Sequence, residues 1–236
     1  MTLASTYRVD WLALAFVCLA FLPLEYVLDG TCDDATLGEL SAIAEDEVSD
    51  VALTVVSLAL PLVLRAIVLA RRRRLDVWSA HEMLFVAAQA IACTMLVVRI
   101  MKKTAGRLRP DAVERSGGEL DVACMSYPSG HAAVSAMGSV LASAVLWDAL
   151  PTGFAGGVAS ALPQAWAIYV LLTRVVEEKH HHSDVNAGYV LGAIVSVVCW
   201  ASRKQRPERP DESKVHVAGR IRATSTIYVG RDAARA

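Results

Sequence analysis

Half of the six histidines in the chain form one run, His180–His182, which is followed by Asp184 and then by an apolar segment. His180 and Asp184 are four residues apart, a spacing that predicts one shared helical face. A carboxylate that bonds one ring nitrogen of a histidine fixes the tautomer and leaves the other nitrogen able to attack an electrophile. Two alternatives remain open from these residues alone. The stretch is also typical of a solvated polar loop, and His180, His182 and Asp184 are suitable metal ligands.

Two further segments carry basic side chains, Lys102 and Arg109 in one and Arg174 in the other. The predicted orientation of the membrane spans, given below, does not require these charges. Lys102 and Arg109 are seven residues apart, so they share a face if the helix that carries them continues to Pro110, which would end it. Arg174 precedes His180 by six residues and belongs at the end of the preceding helix. Fixed cations of this kind suit a phosphate group. For Lys102 and Arg109, a basic belt at the lipid headgroups is the alternative.

The segment Tyr-Pro-Ser-Gly-His, residues 127 to 131, combines a turn with the predicted start of a helix. A helix N-terminus presents unbonded N–H groups and a partial positive charge, and it therefore attracts anions. Ser129 offers a hydroxyl, Gly130 allows a ligand to approach the backbone, and His131 stands where the helix dipole favours a neutral ring. The alternative is an ordinary helix start that Ser129 caps.

The elements that must position these groups are membrane spans. The mean hydropathy is +0.42, with 55% apolar and 20% charged residues, which is more apolar than an average soluble domain. About 20 mostly apolar residues are needed for one crossing. We predict an all-α membrane protein with six spans, at residues 11–28, 51–70, 79–100, 131–149, 152–173 and 185–201. A cleaved signal peptide is the alternative for the first span.

Charge asymmetry predicts the orientation of the spans. Residues 29–50 carry eight acidic and no basic side chains, whereas Arg71–Arg74 form a basic run and the segment from Ser202 has nine Lys or Arg against four Asp or Glu. Both termini and the arginine run are therefore expected on the cytoplasmic side. We predict a membrane domain at 1–201 and a basic, disordered cytoplasmic tail at 202–236.

The connections at 101–127 and 174–184 then face the opposite compartment, so their chemistry-bearing residues can meet. Cys32 and Cys124 lie in polar connections on that side and are candidates for a disulfide. The basic residues are divided between the two faces of the membrane, which does not support nucleic-acid binding.

Taken together and in this order, the three segments resemble the type 2 phosphatidic acid phosphatase superfamily, whose signature is K-x6-RP, PSGH and SR-x5-H-x3-D. The matching residues are Lys102, Arg109 and Pro110, then Pro128, Ser129, Gly130 and His131, and finally Arg174, His180 and Asp184. The flanking GRLRPD and HHxSDVxAG are similar to those of the eukaryotic-type lipid phosphate phosphatases. Two departures are Thr173 in place of the usual Ser, and Glu177–Glu178 in place of a frequent Asp-Tyr pair.

The resemblance implies a role for each matching residue. His180 would attack phosphorus, Asp184 would orient His180, and His131 would protonate the leaving group and then activate water. The phosphate oxygens would be held by Lys102, Arg109, Ser129, Gly130 and Arg174. Because fixed cations would take the place of a metal ion, the resemblance implies no cofactor and no metal requirement.

The implied substrate is a lipid phosphate monoester or diphosphate, such as phosphatidic acid, which would reach an extracellular or lumenal site from the surrounding membrane lipids. One alternative keeps the same pocket and passes the phosphoryl group to a lipid alcohol. Another alternative, from a different class, is a non-catalytic membrane protein such as a transporter or scaffold, in which the polar groups line a pathway. Replacing His180 with Ala distinguishes an enzyme from the last of these.

Overall fold

The computed structural model describes residues 8–27, 47–72, 77–110 and 124–203, and in the first of these ranges the side chains of residues 10–19. Cys32, one of the two candidates for a disulfide, lies outside the described residues, as does the predicted tail from residue 204 onward. Every regular element in the described ranges is an α-helix. The helices in chain order are α1 (Arg8–Val27), α2 (Asp50–Arg71), α3 (Val77–Ala105), α4 (Gly130–Ala149), α5 (Phe154–Ala161), α6 (Gln164–Val176) and α7 (His182–Arg203).

The fold class is as predicted: an all-α, multi-pass membrane protein. In the described part of the chain, five segments are long and apolar enough to cross a membrane, and these are α2, α3, α4, α7 and the pair α5–α6. The remaining helix, α1, has 20 residues and coincides with the first predicted span. The cytoplasmic position of the two termini stays a prediction.

The fifth predicted span, 152–173, is one apolar segment but two helices. Helix α5 ends at Ala161, a turn follows, and α6 begins at Gln164. Pro163 lies in this turn, and proline has no N–H to donate, so an uninterrupted helix would lose a hydrogen bond there. The segment extends to Val176, which places Arg174 in the last turn of α6, as predicted.

Helix α4 is the central helix of the bundle, and most of its side chains are buried. It packs against α2, α3, α5 and α6, and Ser196 of α7 donates a hydrogen bond to the carbonyl of Met137 at 2.9 Å. Small residues allow these close approaches. A Cβ at Gly192 would overlap the carbonyl oxygen of Ala133, and one at Gly138 would overlap the backbone of Ser57. This agrees with close packing of small residues in lipid.

Side-chain hydrogen bonds connect the helices away from the central contacts. The indole of Trp11 in α1 donates to Nε2 of His81 in α3 at 3.0 Å, and it packs edge-on against Phe85. At the end of α4, the guanidinium of Arg72 donates to the carbonyl of Ala149 at 3.0 Å. Helix C-termini leave carbonyls without intrahelical partners, so this bond caps α4.

Candidate active site

The predicted site residues come together at the end of the bundle where α2, α4 and α7 begin and where α3 and α6 end. The backbone N–H of Ser126 donates to the carbonyl of Arg107 at 2.9 Å, which joins the segment after α3 to the segment before α4. The N–H of Ser129 donates to the carbonyl of Asp184 at 2.9 Å, which joins the start of α4 to the start of α7. The two polar connections therefore meet.

Asp184 is fully buried, and both of its carboxylate oxygens accept hydrogen bonds. One carboxylate oxygen accepts from the guanidinium of Arg107 at 2.6 Å. The other accepts from the hydroxyl of Ser126 at 2.6 Å and from the backbone N–H of His181 at 3.1 Å. The ring of His181 lies 3.2 Å from the same oxygen. These bonds compensate the cost of burying a carboxylate.

His180 lies in the loop between α6 and α7 and not on a helix, so its predicted position on one helical face with Asp184 is wrong. Helix α6 ends at Val176 and α7 begins only at His182. Nδ1 of His180 is 3.9 Å from the nearer Asp184 oxygen, which is too long for a hydrogen bond, and 3.4 Å from the hydroxyl of Ser126. The backbone N–H of His180 donates to the carbonyl of Arg174 at 3.3 Å.

The pKa of His180 is lowered from 6.5 to about 4. Burial of the ring is the largest cause, and the positive charges of Arg109 and Lys102 act in the same direction. The carboxylate of Asp184 opposes the shift without overcoming it. The ring is therefore neutral at physiological pH, which is the form in which an imidazole nitrogen is a nucleophile.

The helix that carries Lys102 ends earlier than predicted. Helix α3 ends at Ala105, because Gly106 adopts a left-handed conformation with φ of 54°. Arg109 is therefore in the non-helical segment that follows, and the prediction that Lys102 and Arg109 share one helical face is wrong. Both side chains are nonetheless close enough to influence the charge of His180. The ammonium of Lys102 donates to the carbonyl of Met125 at 2.8 Å.

The start of α4 has the capping serine that the sequence allowed at Ser129, and the phosphate contact of this residue stays a prediction. This residue is the N-cap, and its buried hydroxyl accepts from the N–H of Ala132 at 3.4 Å. Gly130 is the first residue of α4, and a Cβ placed there would lie 4.0 Å from the side chain of Lys102. The PSGH segment and Lys102 are therefore adjacent.

His131 belongs to the same helix start but has different surroundings. Its side chain is 17% exposed, and Nε2 lies 3.2 Å from the carbonyl of Val48 and 3.5 Å from the carboxylate of Asp50. Since a carbonyl only accepts, Val48 holds a proton on Nε2. The start of α2 thus contributes to the site, which no motif in the sequence indicated.

Arg174 is buried and forms an ion pair of 2.7 Å with Glu177, which is also buried. The second oxygen of Glu177 accepts from the backbone N–H of Glu47 at 2.9 Å. The predicted phosphate contact of Arg174 would therefore be made by a guanidinium that an internal carboxylate already partly neutralises. Glu177 belongs to the Glu177–Glu178 pair, at which the sequence departs from the usual lipid-phosphatase pattern.

Sequence reasoning missed four contributors to the cluster, which are Ser126, Arg107, His181 and Glu177. Arg107 lies with Lys102 and Arg109 in the connection 101–127, which the predicted topology puts on the non-cytoplasmic side, where basic residues are not expected, and that charge was a usable signal. Metal-ligand geometry was also considered for His180, His182 and Asp184, but Asp184 contacts His181 and not His182, which is exposed. In the described ranges, no three His, Cys, Asp or Glu side chains form a group that could hold a metal ion.

Comparison with known proteins identifies the class to which this fold and cluster belong. The family model described as PAP2 superfamily matches residues 83–208, which is more than half of the 236-residue chain. The chain therefore belongs to the PAP2 superfamily, and this membership supports a phosphatase-type function.

A PA-phosphatase related-family protein of Dictyostelium discoideum is similar in sequence. The two are 32% identical over 122 residues, which cover 48% of this chain and 45% of the relative. The chain thus matches less than half the length of that protein. No solved structure matches the chain.

Proposed function

We propose that this protein is an integral membrane lipid phosphate phosphatase that hydrolyses phosphate monoesters or diphosphates of lipids through a phosphohistidine intermediate. The observation that carries the proposal is the buried, neutral His180 with two cationic side chains close enough to lower its pKa. A neutral imidazole beside fixed positive charge is the pairing that attack on an anionic phosphorus centre requires.

The first step forms a bond between Nε2 of His180 and phosphorus and breaks the bond from phosphorus to the lipid oxygen. His131, doubly protonated when the substrate binds, donates a proton to that oxygen and becomes neutral, so the lipid leaves as an alcohol. In the second step His131 takes a proton from water, the hydroxyl oxygen bonds to phosphorus, and the bond to His180 breaks. Inorganic phosphate is released, and both histidines return to their starting protonation states. General acid–base help of this kind is typically worth about 10²–10⁴-fold.

The phosphate oxygens would be held by Lys102 and Arg109, by Arg174, and by the start of α4 at Ser129 and Gly130. Phosphoryl transfer depends mainly on positioning and on charge stabilisation, because its transition state spreads negative charge over the peripheral oxygens. Since Glu177 already offsets the charge of Arg174, Lys102 and Arg109 carry most of the net positive charge in this proposal.

The proposal puts the site on the extracellular or lumenal side, at the rim of the bundle, where a lipid headgroup has access from the outer leaflet. Two observations support that side. The acidic segment 29–50 leads into the site, whereas the basic run at 71–74 follows the other end of α2. Cys124, two residues before Ser126, is disulfide-bonded, and disulfides persist mainly in oxidising compartments.

The test uses purified protein in detergent with phosphatidic acid and a panel of other lipid phosphates and diphosphates. The wild-type protein is expected to release inorganic phosphate, and H180A is expected to lose this release. H182A is the matched control, because it removes an exposed neighbouring imidazole and should leave turnover unchanged. Unchanged turnover of H180A would overturn the proposal. Labelled product on an added lipid alcohol, without free phosphate, would instead favour phosphoryl transfer.

The metal-independent mechanism is tested in the same assay. Excess chelator is expected to leave turnover unchanged, because the fixed cations of the chain stabilise the phosphate charge. Loss of activity in chelator that added magnesium restores would contradict it.

A further inference from the structure

The contact between His180 and Asp184 is indirect. Their closest polar atoms are 3.9 Å apart, so the carboxylate cannot fix the ring by a direct hydrogen bond. The hydroxyl of Ser126 reaches both partners. It is 2.6 Å from the nearer oxygen of Asp184 and 3.4 Å from Nδ1 of His180.

The direction of these contacts follows from the chemistry of the groups. A serine hydroxyl has one proton, and an ionised carboxylate only accepts, so the proton of Ser126 is directed at Asp184. The hydroxyl oxygen can then only accept from His180. Nδ1 of His180 must therefore carry the proton, and the lone pair of the neutral ring is on Nε2. The 3.4 Å distance is long for a hydrogen bond, and such contacts shorten when the substrate complex forms.

The position of the hydroxyl is determined by its neighbours. Ser126 is fully buried, and its backbone N–H donates to the carbonyl of Arg107. The guanidinium of the same arginine binds the other oxygen of Asp184 at 2.6 Å. Arg107 thus holds Ser126 by its backbone and Asp184 by its side chain, and the two groups keep their separation.

We propose that Ser126 is a positioning residue that relays the charge of Asp184 to His180 through its hydroxyl and so keeps Nε2 available for attack on phosphorus. No proton is transferred along the relay. When the phosphoryl group bonds to Nε2, the ring becomes cationic, and the chain of hydrogen bonds lets Asp184 stabilise that charge. This inference rests on the proposed phosphohistidine chemistry and adds a residue that the three motifs do not contain.

The test compares S126A with S135A, which removes another buried hydroxyl, one bonded to the carbonyl of Ala132 in α4. S126A is expected to lower kcat by about 10- to 100-fold, a typical effect of removing a group that orients a functional side chain. KM should change little, since Ser126 does not touch the substrate. S135A should keep both constants. Wild-type kcat in a folded S126A protein would overturn the relay.

A second pair of variants separates the hydroxyl from the fold. S126T and S126V have the same shape, and only S126T keeps the hydroxyl. We expect S126T to be at least several-fold faster than S126V at equal melting temperature, whereas a merely structural role predicts equal kcat. In addition, S126A should add little to the loss caused by D184N, because both changes interrupt one chain of contacts.

The outcomes also separate this inference from the proposed function. If H180A keeps its activity, the phosphohistidine proposal fails and the relay fails with it. If H180A is inactive while S126A and S126V turn over like the wild type, only the relay is overturned.

Discussion

The two histidines of the proposed reaction have contrasting surroundings. His180 is buried among Ser126, Asp184 and nearby cations. The side chain of His131 is 17% exposed and faces the start of α2, where the side chain of Asp50 is 91% exposed. The difference suits two tasks. A nucleophile needs a fixed tautomer and a neutral ring, which burial supplies, whereas an acid–base group must exchange protons with water.

The largest expected effect distinguishes the two histidines by the step that each one limits. H180A should reduce turnover by at least about 10³-fold and form no phosphoenzyme, because the nucleophile is gone. H131A should cost about 10²–10⁴-fold. For a substrate with a good leaving group, such as an aryl phosphate, H131A should lose less, because that oxygen needs no proton to depart.

With such a substrate, H131A should accumulate phosphoenzyme, since the second step still requires a base. Rapid-quench measurement with phosphorus-labelled substrate detects the difference. If H131A lost turnover by the same factor with lipid and aryl substrates, the proposed difference in role between His131 and His180 would be contradicted.

The pH dependence tests the charged surroundings of His180, which are Lys102, Arg109 and Asp184. The pKa of about 4 means that the ring loses its nucleophilic form only when the pH falls towards 4. K102Q removes a charge that lowers this pKa, so the pKa should rise, and the acidic limb of kcat/KM should move to higher pH by about one unit. K103Q is the neighbouring control and should leave the limb in place. A limb that moves to lower pH in K102Q would contradict the assigned cause.

A smaller effect is expected on the His131 side. D50N removes a carboxylate 3.5 Å from Nε2, but this carboxylate is almost fully exposed, and exposed ion pairs contribute little. Turnover should fall by about two- to five-fold, the range expected for less than 1 kcal/mol. A loss as large as that of S126A would show that the two histidines depend on their carboxylates equally.

The smallest effect concerns stability near His180. Glu178, two residues earlier, has a φ of 54°, which disfavours residues with a side chain. E178G should be more stable than E178A by about 1 kcal/mol, because only glycine adopts this conformation without a penalty. Thermal unfolding in detergent measures the difference, and phosphate release should be alike in both variants. If E178G were less stable than E178A, the left-handed conformation of residue 178 would not be a source of strain.

Much of this molecule could be predicted from its sequence, because spans and motifs are local patterns. The helices begin and end within a few residues of the predicted spans, and Arg174 lies at the end of its helix as expected. The errors have local causes. Gly106 ends α3 before Arg109, so helical spacing does not apply to Lys102 and Arg109. The loop before α7 leaves His180 outside a helix, so helical spacing does not apply to His180 and Asp184 either.

The contacts that complete the cluster were not predictable in the same way. Ser126, Glu177 and Val48 act across long sequence separations, and a serine, a glutamate or a backbone carbonyl carries no motif of its own. Their roles follow from which helix ends meet, and that arrangement is set by the packing of small residues around α4.

The most direct test of the central claim is to locate the phosphoryl group in H131A quenched during turnover of an aryl phosphate. A phosphohistidine is labile in acid and stable in alkali, and peptide mass spectrometry on the alkali-treated protein can assign the modified residue. The account predicts phosphorylation at His180 and at neither His181 nor His182. Phosphorylation at another residue, or none in an H131A protein that still turns over, would contradict it.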